Sequence, residues 1–276
     1  EEHKLLDEII DLEHIDAVIS DNRFGMWSDK VPSIYITHQV TIKTPPGSGF
    51  MESLIFRRHN KYIHNFDECW IPDLEGSDNL SGELGHKRSP ETPTYFIGPL
   101  SRFKRGVVVG SQKQYDLCFI VSGPEPQRSI FEKKIISQLR DSQYRSIILC
   151  GKPENGFHTS SEGNVNIVSH MNDDDMQAVL SSAGLVICRP GYSSLMDLSV
   201  LGTPAAFVPT PGQTEQEYLA RYHEEKGHFA YMKQKHFNPE SLLKASKNYS
   251  GLSISPDKIL LEQRINELVD LLDELK

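Results

Sequence analysis

The sequence predicts an α/β fold with two Rossmann-like, doubly wound domains, each built on a parallel sheet. Short continuous apolar runs alternate with stretches of helical periodicity, and turns rich in glycine, proline and small residues separate them. Strands that are apolar on both faces are typical of parallel sheets covered by helices on each side. The 276-residue length suits about two domains, and 38% apolar with 24% charged residues is a globular composition.

The alternation is clearest in the second half of the chain. The predicted strands there are 117–121, 146–150, 165–168, 185–188 and 205–208. The predicted helices are 130–139, one that begins at 173, 193–201 and 215–226. Because parallel sheets bind ligands outside the carboxyl ends of their strands, the loops that follow these strands are the expected binding loops.

The first hundred residues show the same alternation more weakly. The predicted elements are helix 5–12, strands 17–20 and 33–37, a short run that ends at 71, and another at 95–97. Residues 73–94 are polar and rich in glycine and proline, which predicts a loop. Residues 259–275 predict an amphipathic helix whose apolar stripe must pack on another part of the protein.

Composition disfavours several classes of protein. The net charge of −9 argues against nucleic acid or an anionic membrane as the default partner, although Arg57, Arg58 and Lys61 form a compact basic patch. No apolar run approaches the roughly 18 residues of a membrane span. The histidines lack zinc-site spacing, and no G-x-S-x-G motif is present. The four cysteines form no C-x-x-C pair, which favours buried thiols in a reducing cytoplasm.

The most specific motif lies at residues 188–197, CRPGYSSLMD. Gly191 allows close approach of the backbone to a ligand, and Ser193 or Ser194 can cap a helix and leave N–H groups that face a phosphate. Asp197 lies one turn further on the same side, where a carboxylate suits a diol such as a ribose. Stabilisation of the helix dipole by Asp197 is an equally good interpretation.

Three other loops are less specific. Ser122 and Gly123, in SGPEPQR, suit an anion site before a helix or form a plain turn. In PTPGQTEQE, the polar residues Gln213, Glu215 and Gln216 suit sugar hydroxyls, and the alternative is a helix cap on Thr214 with Glu217. The acidic run 173–175 is compatible with a Mg²⁺ or Mn²⁺ site, but an acidic helix start is the preferred interpretation.

Residues 185–220, LVICRPGYSSLMDLSVLGTPAAFVPTPGQTEQEYLA, resemble the C-terminal nucleotide-sugar-binding domain of glycosyltransferase family 28. The resemblance continues upstream through HMNDDDMQAVLSSAGLVICR and FIGPLSR, and more weakly to VPSIYITHQ. It covers about 95–245 well and 15–75 loosely. It implies the GT-B fold, in which two Rossmann-like domains face each other and the donor binds in the cleft between them.

The resemblance also implies roles for residues at matching positions. Asp197 matches the residue that holds the donor ribose, and Arg102 matches an arginine at the donor phosphate. Further predicted donor-binding residues are Gly191, Tyr192, Ser193 and Ser194 at the diphosphate, Gln213, Glu215 and Gln216 at the sugar, His170 and Met171 at the uracil, and Arg189 with no assigned part of the donor. Two departures are that Asp197 stands where glutamate is usual and that SGPEPQR replaces a glycine-serine loop.

By the same resemblance, residues 1–102 are expected to form an acceptor-side domain and 103–257 the nucleotide-sugar-binding domain. Helix 258–276 is expected to pack back on the first domain. The glycine-rich loop and histidine that begin the family's first domain have no counterpart in this chain. We therefore expect that domain to be incomplete, by about 80–100 residues if the two domains match in size.

The expected function is inverting, metal-independent transfer of a sugar, N-acetylglucosamine or a related hexose, from a UDP-sugar to an acceptor hydroxyl. The expected acceptor is a cell-envelope glycan or lipid-linked sugar, and the expected location is cytoplasmic, at the inner face of the membrane. His38 is the candidate general base in this chain, with a structural role at a strand end as its alternative. Two other functions stay open: a hydrolysing nucleotide-sugar epimerase-like enzyme and a non-catalytic nucleotide-binding module.

Overall fold

A computed structural model of the chain describes residues 2–45, 49–104, 113–153, 156–254 and 258–274. Two compact units divide the chain: Glu1–Leu100 together with Pro256–Lys276 is unit 1, and Ser101–Ser255 is unit 2. The division falls two residues before the predicted domain boundary at 102. This division does not test the roles predicted for the two domains, which stay predictions.

Unit 1 is a four-stranded parallel sheet with helices. Its helices are α1 (Glu2–Glu13), α2 (Gly49–Ile63), α3 (Glu83–His86) and, at the end of the chain, α9 (Lys258–Glu274). Its strands are β1 (Val18–Asp21), β2 (Ser33–Ile36), β3 (Glu68–Ile71) and β4 (Thr94–Phe96), in the order β1-β2-β3-β4. All three strand pairs are parallel, as the alternation of apolar runs predicts.

Helix α9 packs on the core of unit 1. Leu268 is buried with Ile34, Trp70 and Ile97, so the apolar stripe of the helix has a partner. Arg264 of the same helix pairs with Glu68, with 2.5 Å between Nη2 and Oε1. These contacts join the last helix of the chain to the first hundred residues.

Unit 2 contains a seven-stranded sheet. Its strands are β5 (Tyr115–Ile120), β6 (Ser146–Leu149), β7 (Thr159–Glu162), β8 (Val165–Val168), β9 (Ala183–Cys188), β10 (Ala205–Phe207) and β11 (Ala230–Tyr231). Its helices are α4 (Gln127–Leu139), α5 (Asp173–Ser182), α6 (Tyr192–Leu201), α7 (Thr214–Glu225) and α8 (Pro239–Ser246). The order β11-β10-β9-β5-β6-β8-β7 is parallel except for β7, which runs antiparallel to β8.

The five predicted strands of this unit are confirmed, and they carry its core. Strands β6 and β9 are almost wholly buried, β5 is buried at its centre (117–119), and Phe119 and Phe131 are completely buried. All four cysteines are buried and free, as the sequence predicts. The carboxyl ends of β5, β9 and β10 therefore lie side by side, which brings the loops that follow them to one edge of the sheet.

Outside the predicted loop 73–94, four of the helices and strands named above have no counterpart in the prediction. Strand β7 is fully exposed and polar, so it shows no apolar period, and β11 has only two residues. Helices α2 and α8 are the other two. The predicted loop 73–94 also contains the single-turn helix α3.

Candidate functional site

The turn from β9 into α6 forms the centre of the candidate site. Gly191 is the N-cap residue of α6 and has extended backbone (φ −76°, ψ 146°), so the predicted cap by Ser193 or Ser194 is wrong, and no described side chain caps this helix. The N–H groups of Ser193 and Ser194 make no hydrogen bond among the described residues, and Ser193 is exposed. By contrast, Asn172 and Asn238 cap α5 and α8 with their side chains. The start of α6 thus offers N–H donors and the positive end of a helix dipole to an anion.

Asp197 lies one turn inside α6, with 16% of its side chain exposed. Its Oδ1 accepts a hydrogen bond of 2.7 Å from the Ser101 hydroxyl, and its Oδ2 lies 3.5 Å from Nε of Arg102. Ser101 thus gives the carboxylate a hydroxyl donor, the kind of group that a ribose diol also offers. Burial raises the pKa of Asp197 and outweighs the opposing effects of Ser101 and Arg102.

Arg102 bridges two elements of unit 2. Its Nη1 donates to Asp173 at 2.8 Å, and Nη2 lies 3.2 Å from the sulfur of Met176, while 47% of its side chain stays exposed. Arg102 therefore lies beside Asp197 and the start of α5, close to the predicted ribose contact. Its guanidinium could contact a diphosphate if its ion pair with Asp173 or with Asp197 were broken.

Arg189 points into the protein. Only 1% of the residue is exposed, its guanidinium lies 4.1 Å from the ring of Phe131, and it donates to Val208 O at 2.7 Å and to Gln234 Oε1 at 2.5 Å. Burial lowers the pKa of Arg189 to about 10, so it is charged at neutral pH. Arg189 therefore supports the loops behind the site in this structure, and its expected contact with the donor stays a prediction.

The loop between β5 and α4 contains a carboxylate, that of Glu125, at the start of α4. Glu125 pairs with Arg128 at 2.9 Å and accepts from the backbone N of Ser129 at 3.2 Å, so a carboxylate already lies at the start of α4. Arg128, chiefly, holds the pKa of Glu125 below its usual range. Ser122 and Gly123 lie directly before this loop, and Gly123 has φ +102°. The α4 start is therefore a poorer phosphate site than the start of α6.

The loop between β10 and α7 is held by side chains from its own helix. Gln216 Oε1 accepts from Thr210 N at 2.8 Å, and Glu217 Oε1 accepts from Gly212 N at 3.2 Å. Gln213, rather than Thr214, is the N-cap residue, and it makes no side-chain cap hydrogen bond. Gln213, Gln216 and Glu215 are all partly exposed. Gln216 thus orients the loop with its oxygen and retains its amide N–H donors.

His170 and Met171 lie between β8 and α5, where the uracil is expected. Nδ1 of His170 lies 3.1 Å from the Ser169 hydroxyl, and the ring meets Phe157 edge to face at 5.8 Å. Both predicted residues line a hollow of about 550 Å³ with Phe157, Asn172, Asp175, Ala178, Val179, Gln114 and Tyr115. At 100° per residue, the α5 residues of this hollow and those that contact Arg102 lie on different sides of the helix.

The acidic run 173–175 forms the first turn of α5, and one of its carboxylates pairs with Arg102. Asn172 caps the helix by accepting from Asp175 N, and Asp173 pairs with Arg102. Within the ranges described above, no three His, Cys, Asp or Glu side chains are placed to share a metal ion. No helix among those residues is long and apolar enough to cross a membrane.

His38 lies in unit 1, half-buried two residues after β2. The residue that sequence reasoning missed nearby is Asp73, which follows β3, is completely buried and lies 3.3 Å from Nε2 of His86. The carbonyl of His38 lies 3.5 Å from where a side chain on Gly85 would begin, so His38 and His86 share one region. The polar stretch 73–94 had no periodicity to reveal this contact.

Two residues of unit 2 also escaped the sequence analysis. Ser101, within the quoted GPLSR stretch, binds Asp197, and Phe157 forms one wall of the hollow beside His170. The sequence offered two weak signals: Ser101 precedes the predicted site residue Arg102, and Phe157 is an apolar residue in a polar loop. Neither residue type by itself indicates binding.

Unit 2 is a doubly wound, mostly parallel sheet with the candidate site at the carboxyl ends of its strands, and the chain as a whole resembles solved glycosyltransferases of the GT-B fold. Acinetobacter baumannii MurG matches with a TM-score of 0.53 at 14% identity, covering 96% of this chain and 73% of that one. The glycosyltransferase SnogD from Streptomyces nogalater matches with a TM-score of 0.60 at 12% identity, covering 98% and 77%. At these identities the likeness shows the fold.

The family follows from the sequence comparison. The model described as the glycosyltransferase family 28 C-terminal domain matches residues 106–250, more than half of the chain. The chain therefore belongs to glycosyltransferase family 28, and the predicted family and fold are confirmed.

Curated relatives are similar to this chain over part of its length. One from Glaesserella parasuis serovar 5 (strain SH0165) is named UDP-N-acetylglucosamine--N-acetylmuramyl-(pentapeptide) pyrophosphoryl-undecaprenol N-acetylglucosamine transferase, and it is 42% identical over 73 residues, 26% of this chain and 21% of its own length. A relative of the same name from Clostridioides difficile (strain 630) is 26% identical over 181 residues, 59% of this chain and 44% of its own. The chain thus spans less than half the length of either.

Proposed function

We propose that this protein transfers a sugar, N-acetylglucosamine or a related hexose, from a UDP-sugar to an acceptor hydroxyl in cell-envelope glycan or glycolipid synthesis. Unit 2 is the donor-binding part in this proposal. The observation that carries it is the uncapped start of α6 with Asp197 one turn further on. Membership of family 28 and the names of the curated relatives support the same donor class.

Each part of the donor has a matching partner in unit 2. The diphosphate lies at the N–H groups of Ser193 and Ser194, next to Arg102. The ribose diol donates to Asp197 in place of Ser101, and the uracil lies near His170 and Met171. The sugar faces the polar start of α7, where Gln213 and Glu215 offer hydrogen bonds.

The proposed reaction is a direct displacement with inversion. The acceptor oxygen bonds to the anomeric carbon, the bond between that carbon and the phosphate oxygen breaks, and its electron pair leaves with UDP. The diphosphate charge is met by the α6 dipole and Arg102, which act without a metal ion.

A calorimetric titration with UDP, with and without EDTA, tests this site. We expect binding whose dissociation constant changes less than twofold on adding EDTA, because the groups that meet the diphosphate are protein cations and N–H donors. Added Mg²⁺ should leave the affinity equally unchanged. Loss of binding in EDTA, restored by Mg²⁺, would instead assign the diphosphate to a metal held by the acidic start of α5.

UDP binding should weaken at acidic pH through Asp197. The ribose needs the ionised carboxylate, and burial raises the pKa of Asp197, so protonation begins at a higher pH than for an exposed aspartate. Below that pKa, affinity should fall about tenfold per pH unit. Titrations from pH 8 downward in wild type and Asp197→Asn check this. The variant should lack the Asp197 step and retain only that of the UDP phosphate; identical profiles would contradict the assignment.

We also propose that α2 contacts an anionic membrane surface. Phe50, Met51 and Leu54 are 84%, 54% and 59% exposed on this helix. Arg57, Arg58 and Lys61 are exposed one to two turns further along it. Exposed apolar residues beside basic ones are typical of helices that lie in a lipid headgroup region, and this local patch contrasts with the net charge of −9.

Sedimentation with vesicles tests this contact. We expect the protein to bind vesicles that contain phosphatidylglycerol better than pure phosphatidylcholine, and Phe50→Ser with Leu54→Ser to lose at least tenfold in binding. Phe157→Ser, which removes an exposed phenylalanine of unit 2 (70% exposed), is the matched control and should bind as wild type does. Equal loss in both variants would show that α2 has no special role.

A further inference from the structure

Arg102 is held by side chains on two helices of unit 2. Its Nη1 donates to Asp173 at 2.8 Å, its Nη2 lies 3.2 Å from the sulfur of Met176, and its Nε lies 3.5 Å from Oδ2 of Asp197. The guanidinium also lies 4.9 Å from the centre of the Phe103 ring. Each nitrogen of the guanidinium therefore has a neighbour, and two of these neighbours are carboxylates.

The backbone that carries Arg102 is fixed on α5. Gln177 Oε1 accepts from Lys104 N at 3.2 Å, and Gln177 Nε2 donates to Lys104 O at 2.7 Å. The Ser101 hydroxyl accepts from Phe103 N at 3.1 Å. Because the main chain next to Arg102 is held in this way, an exchange of partners by Arg102 requires only its side chain to turn.

The ion pair between Arg102 and Asp173 is open to solvent. The two side chains are 47% and 57% exposed, whereas the side chain of Asp197 is 16% exposed. Exposed ion pairs contribute little to stability, because water and salt screen them. An arginine binds phosphate through two parallel N–H groups, and Asp173 occupies one of these donors, on Nη1 of Arg102. Of the two carboxylates, Asp173 is therefore the one that a diphosphate displaces at the lower cost.

We infer that Asp173 competes with the donor diphosphate for Arg102 and thereby lowers the affinity for UDP and speeds its release, an inference that rests on the proposed glycosyl transfer. When the donor binds, the guanidinium turns from Asp173 to the diphosphate. When UDP leaves after the transfer, Asp173 pairs with the guanidinium again. The exchange makes and breaks no covalent bond, and Asp173 acts through Arg102 without touching the ligand.

Titration with UDP and with uridine tests this competition. Asp173→Asn keeps the size of the side chain and removes its charge, which leaves Arg102 to the diphosphate. We expect the dissociation constant for UDP to fall about three- to fivefold, chiefly through slower dissociation. The affinity for uridine, which carries no phosphate, and the midpoint of thermal unfolding should stay nearly unchanged. Equal or weaker UDP binding by the variant would overturn the inference, because Asp173 would then not compete for Arg102.

Asp174→Asn is the matched control. Asp174 is the next residue in the first turn of α5, is exposed and makes no contact with Arg102 among the described residues. The substitution removes the same charge from the same helix start and should change UDP affinity less than twofold. An equal gain in affinity from the two substitutions would show that the charge of the helix start limits binding, and would overturn the inference.

A measurement without UDP tests the ion pair itself. In ¹H–¹⁵N NMR of the arginine side chains of the full chain, the Arg102 signals are assigned by their loss in Arg102→Lys. The guanidinium of Arg102 should rotate more slowly in wild type than in Asp173→Asn, and equal rates would overturn the inference. If wild type does not bind UDP, the proposed function fails, whereas UDP binding that Asp173→Asn leaves unchanged overturns this inference alone.

Discussion

Asp197→Ala should weaken UDP binding by more than about a hundredfold. Two hydrogen bonds from the ribose diol to a buried carboxylate contribute about 3 kcal/mol or more beyond what Ser101 and Arg102 provide to it in the free protein, and 1.4 kcal/mol is a factor of ten. Calorimetric titration of wild type and variant measures the change. Asp197→Asn should fall between them because an amide oxygen still accepts one hydrogen bond.

Asp174→Ala is the matched control for this prediction. Asp174 is an exposed carboxylate in the first turn of α5, in the same unit. Its removal lowers the negative charge of unit 2 by the same amount as Asp197→Ala and should change UDP affinity less than twofold. Equal effects of the two substitutions would show that net charge, and not a ribose contact, governs affinity.

Arg189→Ala should destabilise unit 2 by about 3–5 kcal/mol. The substitution opens a cavity against Phe131 and leaves Val208 O and Gln234 Oε1 without their donor, and each buried, unpaired polar group costs about 1–3 kcal/mol. Thermal unfolding should show a midpoint lower by about 10 °C. Arg189→Lys should recover little, because an ammonium cannot reproduce the planar fork of two donors.

Arg221→Ala provides the comparison for the Arg189 prediction. Arg221 is exposed on α7 and donates to Glu217 O at 3.2 Å, so its loss should cost less than about 0.5 kcal/mol. If Arg189→Ala kept wild-type stability but lost UDP affinity, Arg189 would be a ligand contact and not a support of the loops. The two measurements together therefore separate support of the loops from contact with the donor.

The parallel core of unit 2 was predictable because its strands are apolar on both faces. Runs such as LCFIV and IILC leave few other ways to bury their side chains, and residues 185–220 carry family motifs in addition. Strand β7 was not predictable, because its exposed TSSE sequence has no apolar residue, and it is held by backbone pairing with β8 and by a hydrogen bond from the Ser161 hydroxyl to Asn166. Helix α2 was not predicted, because exposed apolar residues such as Phe50 and Met51 obscure the helical spacing of its buried residues.

The same distinction applies to the site residues: features set by local spacing could be predicted, and contacts between residues distant in sequence could not. The position of Asp197 one turn inside a helix follows from local spacing, but that spacing misplaced the N-cap, which is Gly191 and not Ser193 or Ser194. The inward direction of Arg189 depends on Phe131 and Gln234, which are distant in sequence, so no local pattern reveals it. The Asp73–His86 contact spans 13 residues of an irregular loop, and only the folded backbone brings its two ends together.

The most direct test of the donor site compares UDP with 2′,3′-dideoxy-UDP on wild type and Asp197→Ala in one set of calorimetric titrations. Wild type should bind UDP about a hundredfold more tightly than the dideoxy analogue, because only UDP offers the diol to the carboxylate. Asp197→Ala should bind the two ligands with dissociation constants within about threefold of each other. Equal discrimination by wild type and variant would contradict the assignment of the ribose to Asp197, and with it the placement of the donor on unit 2.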